Sequence, residues 1–155
     1  MIIRSMEACD LDAVVDLVER RRERLQAYEP VFWRKAKGSA ETTRGFFSHL
    51  AADEQSLFLV VERGGAIVGC AQAREASVPP VYAPGRTAMI DDFCVSDDAE
   101  FSTVGLALLH ALQRHLVERG FRQIVFACAA REAKLQELLA SEAMSLASVW
   151  WTKGL

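Results

Sequence analysis

The sequence predicts a mixed α/β (α+β) fold: a mostly antiparallel central sheet of about six strands with helices on both faces. Three observations lead there. Short apolar runs of strand length alternate with stretches whose apolar residues recur at helical spacing. Gly64-Gly65 lies between two of the strand-like runs and is a two-residue hairpin signal. In the second half a strand, a small-residue loop, a long helix and another strand follow one another, the order of a βαβ unit. At 155 residues the chain is expected to be one domain, spanning 1–155.

The elements read as follows. Ile2, Ile3 and Arg4 form a short first strand. Asp10 is placed to cap a helix whose stripe is Leu11, Val14, Val15, Val18 and Leu25, ending before Pro30. An aromatic connection follows, with Tyr28, Phe32 and Trp33. A second helix begins near Ser39 with Phe46, Phe47 and Leu50 inward. Strands are expected over 56–62, 66–74 and 87–96, the last two separated by a loop that holds three of the four prolines. A helix over 103–119 carries Leu108, Leu109, Leu112 and Leu116 and stops at Gly120. A strand over 123–129, a helix over 132–142 and a final strand over 146–152 complete the order.

Composition narrows the function classes. Apolar content of 51% and charged content of 25% are those of a globular protein. A net charge of −3 argues against a nucleic-acid partner. No run approaches the roughly 18 apolar residues of a membrane span, and the N-terminus lacks a signal-peptide layout. Cys9, Cys70, Cys94 and Cys128 are scattered singly, as expected of reduced, mostly buried thiols in a cytoplasmic protein. His110 and His115 stand five apart and His49 has no partner, so no metal site is expected.

The chemistry-bearing stretch is Asp91-Asp92-Phe93-Cys94-Val95, an acidic turn, then Phe101-Ser102-Thr103-Val104-Gly105 and Leu106. A strand running through a small-residue loop into a helix N-terminus can hold a phosphorylated ligand on backbone N–H groups. The two carboxylates lie close upstream. Alternation puts them on opposite faces, with Asp91 sharing the face of Phe93 and Val95. Either can take a proton from an amine or attract it. The charge run from Glu19 to Arg24 reads as a solvated helix face.

In these motifs the chain resembles the Gcn5-related N-acetyltransferase (GNAT) superfamily over nearly its whole length. Asp91-Asp92-Phe93-Cys94-Val95 is similar to the family's Glu-Asp-Phe/Leu-x-Val strand. The resemblance implies an acetyl-CoA co-substrate, with Phe93, Cys94 and Val95 beside the pantetheine arm. It also implies that Phe101, Ser102, Thr103, Val104, Gly105 and Leu106 lie at the pyrophosphate. It places Tyr28, Phe32 and Trp33 in the acyl-acceptor wall, and Asp91 or Asp92 as the catalytic acid or base.

The chain departs from the family pattern in both its motif loop and its C-terminal half. Glu100 replaces a basic or amide residue, and its charge has the ligand's sign. About 4 Å apart, two such charges repel by roughly 1 kcal/mol in water and roughly 4 at a surface-like dielectric. Thr103 replaces the first glycine, Glu132 an anchoring asparagine, and Leu139 the tyrosine that protonates the leaving thiolate. Tyr28, Tyr82 or water would then supply that proton. The Gly-Phe that ends the last helix in many members is Ala143-Met144 here.

The function implied is an acetyl-CoA-dependent N-acetyltransferase acting on a small primary amine by direct attack on the thioester. The alternatives are a catalytically degenerate domain of the same fold that senses CoA or another small ligand, and a cofactor-free interaction module. Of Trp150 and Trp151, one ring is expected inward and one outward, where an exposed tryptophan would suit a homodimer contact.

Overall fold

A computed structural model describes residues 1–53 and 56–155. Five strands form one sheet in the order β1-β2-β3-β4-β5: β1 Ile2–Ser5, β2 Leu57–Arg63, β3 Ala66–Glu75, β4 Thr87–Val95 and β5 Gln123–Phe126. The first four are antiparallel neighbours, and β5 lies parallel to β4. The β2–β3 turn uses Gly64 and Gly65 at φ of 60° and 79°, left-handed values that favour glycine.

Alternation along β2 sorts the core into two layers. Phe58 and Val60 face α1 (Leu11–Tyr28) and α2 (Ser39–Ala52), joining Val14, Val18 and Phe47. Leu57, Leu59 and Val61 face α3 (Leu106–Glu118) and α4 (Ala133–Ser141), joining Leu108, Leu112 and Leu135. Phe47 and Phe58 meet edge to face at 4.8 Å, an arrangement that adds about 0.5–1.5 kcal/mol beyond area burial.

Both C-terminal helices end in the same hydrogen-bonded motif. After α3, Gly120 at φ 79° lets its own N–H reach Val117 O while Phe121 N reaches Leu116 O. After α4 the left-handed residue is Ala143 at φ 58°, with Ala143 N bonded to Ala140 O and Met144 N to Leu139 O. A Cβ makes that conformation costly, by about 1–2 kcal/mol.

Four expectations are corrected. The sheet has five strands, because 146–152 forms no ladder among the described residues. Trp150 and Trp151 do not split between core and solvent; they are 79% and 95% exposed. Asp10 holds the N-cap position of α1, but its side chain makes no cap hydrogen bond to that helix. Its carboxylate accepts from Glu7 N at 2.8 Å and pairs with Arg4, closing the 3₁₀ turn Ala8–Asp10 that precedes the helix. Cys70 and Cys94 are buried cross-strand neighbours, but Cys128 is only half-buried and Cys9 is exposed. Among the described residues no helix is long and apolar enough to cross a membrane.

Candidate functional site

The sheet opens between β4 and β5. Their ladder runs from Thr87 and Gln123 to Ile90 and Phe126, and Ala127 N still donates to Ile90 O at 2.9 Å. Beyond that point β5 ends. From Asp91 to Val95, β4 keeps β3 on one edge and, among the described residues, has no strand on the other. β4 also bulges here: Gln72 pairs with Asp92 and Ala73 with Ile90, leaving Asp91 as the extra residue. A bulge bends its strand and re-aims side chains.

That bulge overturns the expected placement of the two acids. Ile90 and Phe93 share the α3/α4 layer although they are three positions apart. Asp92 turns to α1, with Oδ1 3.7 Å from Arg21 Nη1 and Oδ2 3.6 Å from Arg22 Nη2. Asp91 reaches Arg74 at 2.5 Å, and Arg74 alternates with Ala73 of the other layer. Both carboxylates therefore stand on the α1 side, and Asp91 does not share the face of Phe93. Burial pushes the Asp92 carboxyl above its ordinary value, and neighbouring Asp91 adds to this against the opposing pull of Arg22 and Arg21.

Arg21 closes the apex of the opening. It is 4% exposed, donates from Nη1 to Asp91 O at 3.0 Å and from Nη2 to Ala127 O at 3.2 Å, and so straddles the diverging strands. Its Nε and Nη2 bond Glu132 Oε1 and Oε2 at 2.8 and 2.9 Å. Burial works against the charge, but the hydrogen bonds that Arg21 donates to Glu132 outweigh it and keep the guanidinium protonated. The run from Glu19 to Arg24 is thus not simply a solvated face. Glu19 is also engaged: burial would raise its carboxyl, yet hydrogen bonds from Lys35, Ser39 and Arg22 hold it down at about 2.

Glu132, expected where the family anchors its ligand, is committed inside the protein. Besides Arg21 it accepts from Ala129 N at 2.8 Å, fixing the turn into α4. Leu139 is buried in the core and has no proton to give. Tyr82 is an exposed loop residue.

The approach to α3 also differs from expectation. The helical path begins before Thr103, with a 3₁₀ turn over Asp98–Glu100 and a π turn over Phe101–Gly105. Asp97 caps this path by accepting from Ala99 N at 2.9 Å, while Glu100 N and Phe101 N donate to Asp97 O and Asp98 O. Glu100 is drawn aside by Arg63, whose Nη2 lies 2.5 Å from Oε1. The Thr103 hydroxyl bonds back to Glu100 O at 3.3 Å. Ser102 and Thr103 are exposed, whereas Phe101 and Val104 are buried. Gly105 is closely packed, since a Cβ there would lie 3.0 Å from Phe101 Cδ1 and 3.3 Å from Leu138 Cδ2. Leu106 is half-buried against the core.

A cleft of about 110 Å³ lies between this approach and the start of α4. Phe93, Phe101, Leu135 and Tyr28 supply apolar surface, Arg21 and Glu132 line it at the apex, and Arg24, Arg131 and Lys134 bring positive charge. Arg24 stands 3.5 Å from Asp98 across the mouth. Of the three residues expected in the acceptor wall, Tyr28 lines this cleft and Phe32 and Trp33 do not. Those two rings meet each other at 4.7 Å, and Phe32 meets Trp150 at 5.9 Å.

Sequence reasoning missed Arg21, Arg24, Arg131 and Lys134. For Arg21 a signal existed: it continues the apolar stripe of Val14 and Val18 toward Leu25, so its position faced inward whatever its charge. The other three are surface cations until the fold gathers them.

A sheet splayed beside a helix approach, with helices on both faces, defines the GNAT class of fold. The Acetyltransferase (GNAT) family model matches residues 19–140, and the chain belongs to that family. The tetramutant of BH1408 protein from Bacillus halodurans superposes with a TM-score of 0.84 at 18% identity, covering 100% of both chains. A predicted acetyltransferase from Clostridium acetobutylicum, solved with acetyl-CoA, gives 0.72 at 15% identity over 99% of this chain and 95% of that one. The aminoglycoside N-acetyltransferase AAC(6')-Iy in complex with CoA gives 0.72 at 14% over 98% and 93%. At these identities the likeness is one of fold. No curated protein sequence matched the chain.

Proposed function

We propose that the protein is an acetyl-CoA-dependent N-acetyltransferase acting on a small primary amine by direct attack on the thioester. The observation that carries this reading is the strand-free edge of β4 from Asp91 to Val95, which through Phe93 borders the cleft between the helix approach and the start of α4. Backbone at Phe93, Cys94 and Val95 would align the pantetheine arm there. Segment 101–106 would lie at the pyrophosphate, with Arg24, Arg131 and Lys134 as countercharges that the loop itself lacks. Glu100, paired with Arg63, is held from opposing the anion.

The acceptor would come from the α1 side, where Asp91 and Asp92 stand together. Asp91, the more exposed, receives the ammonium. Asp92, raised by burial, takes its proton directly or through water. The neutral nitrogen then bonds to the acetyl carbonyl carbon and the C–S bond breaks, and the proton the nitrogen sheds on becoming an amide passes through Tyr28 or water to the departing thiolate. Phe32 and Trp33 would contact the acceptor's outer part. The unpaired cysteines fit a reducing, cytoplasmic setting.

One observation favours a second reading, a CoA-binding sensor without turnover. Leu139 stands where the family's acid would protonate the leaving thiolate, and it offers none. Thiol release from acetyl-CoA across a panel of amines separates the two. The enzyme reading expects amine-dependent thiol. The sensor reading expects none, with thermal stabilisation near 2.7 kcal/mol at about 100 times Kd.

A further inference from the structure

We propose that Arg21 is the stop that sets the length of the acyl group, confining the donor to acetyl-CoA and turning away thioesters with longer chains. This role rests on the acetyl-CoA reading and names what the donor end of the site admits. With the pyrophosphate at 101–106 and the arm along β4, the ligand runs from Val95 back to Phe93, so its acyl end points toward Asp91. Two residues of strand span about 7 Å. At the end of that span stands the Arg21 guanidinium, bonded to Asp91 O at 3.0 Å and lining the cleft.

A stop must hold its place. Arg21 has five N–H groups to satisfy. Nε and Nη2 bond Glu132 at the start of α4, and Nη2 also reaches Ala127 O just past β5. Nη1 bonds Asp91 O on β4 and has Asp92 Oδ1 at 3.7 Å. Swinging the head aside would break bonds on both diverging strands and leave Glu132 without its partner. A methionine at this position would adapt to its neighbour instead.

The head is also the wrong surface for a longer chain. The cleft is small, about 110 Å³, with apolar walls at Phe93, Phe101 and Leu135, and it ends on a charge. A methylene added to the acyl group would meet the guanidinium, whose hydrogen bonds it cannot replace. One methylene in a binding pocket discriminates by about 10–200-fold.

The test is calorimetric titration of the full chain, without amine, with CoA, acetyl-CoA, propionyl-CoA and butyryl-CoA. The first two should bind with comparable Kd, propionyl-CoA about 10-fold or more weaker, and butyryl-CoA weaker again. Arg21→Leu with Glu132→Gln removes the charged head and keeps an acceptor for Ala129 N. In it, butyryl-CoA should gain on acetyl-CoA by about 10-fold or more. Arg21→Lys keeps the charge without the planar fork and should move the same ratio by less. Arg24→Ala, on the same cleft but away from the apex, should weaken all four ligands alike. Loss of structure alone would do the same, so the ratio between ligands is the readout, with far-UV circular dichroism confirming each fold. Affinity indifferent to acyl length, or a ratio unchanged in both Arg21 variants, overturns the stop while acetyl-CoA binding stands. Failure of all four ligands to bind the unaltered chain overturns the acetyl-CoA reading, and the stop with it.

Discussion

Arg21 Nε and Nη2 meet Glu132 Oε1 and Oε2 at 2.8 and 2.9 Å, a two-pronged bond between residues 111 positions apart in sequence. Through it α1 is tied to the start of α4, at the place where β4 and β5 part. Arg21→Met would leave the Glu132 carboxylate buried without its partner, at a cost of about 3–5 kcal/mol. Adding Glu132→Gln keeps an acceptor for Ala129 N and should recover roughly 1–2 kcal/mol of that loss. Urea unfolding of the single and double variants measures it. Equal instability in both would mean that the pair is not the tie.

Asp92 is expected to oppose stability at neutral pH. Its folded-state pKa lies above the ordinary carboxylate value, so ionising it is harder in the folded chain than in the unfolded one. The stability it contributes is therefore full at acid pH and lost as pH rises. Asp92→Asn should raise the melting temperature at about pH 7, and the gain should fade below about pH 4. If Asp92 also accepts the amine proton, kcat falls by about 10²-fold or more in the same variant. Melts across pH together with a thiol-release assay report both effects.

Ala143 occupies a left-handed position that glycine fills without strain. Ala143→Gly should stabilise the chain by about 0.5–1 kcal/mol, the relief of the Cβ clash less the added freedom of the unfolded chain. Thermal or urea unfolding reads this directly. A loss of stability would show that Ala143 makes a contact worth more than the strain.

Arg63 pairs with the Glu100 carboxylate at the helix approach, and Ser96 Oγ donates to its other oxygen at 3.4 Å. Arg63→Ala should weaken acetyl-CoA binding about 3–10-fold by returning an opposing charge to the cleft mouth. Glu100→Gln in the same background should restore it. Calorimetric titration of the two variants checks the pair, and an unchanged Kd in the first would remove Glu100 from the ligand's neighbourhood.

Much of the fold was legible in the sequence because its signals are local. The Gly64-Gly65 turn, the stripe of α3 and its glycine stop depend on neighbours within a few residues, and each element appears where it was expected. The site was less legible. The bulge at Asp91 comes from the register of β3 against β4, so strict alternation put the two acids on opposite faces. Arg21 stood in an apolar stripe, but its charge masked its position. The run at 146–152 was read as a strand by composition, and composition says nothing of whether a partner edge is present.

The central claim is that the open edge of β4 receives the thioester arm. A crystal structure grown with acetyl-CoA tests it most directly. The pantetheine chain should lie along Phe93–Val95, between β4 and the start of α4, with Arg21 still bonded to Asp91 O behind it. A ligand bound elsewhere, or that edge still empty at saturating acetyl-CoA, would contradict the account.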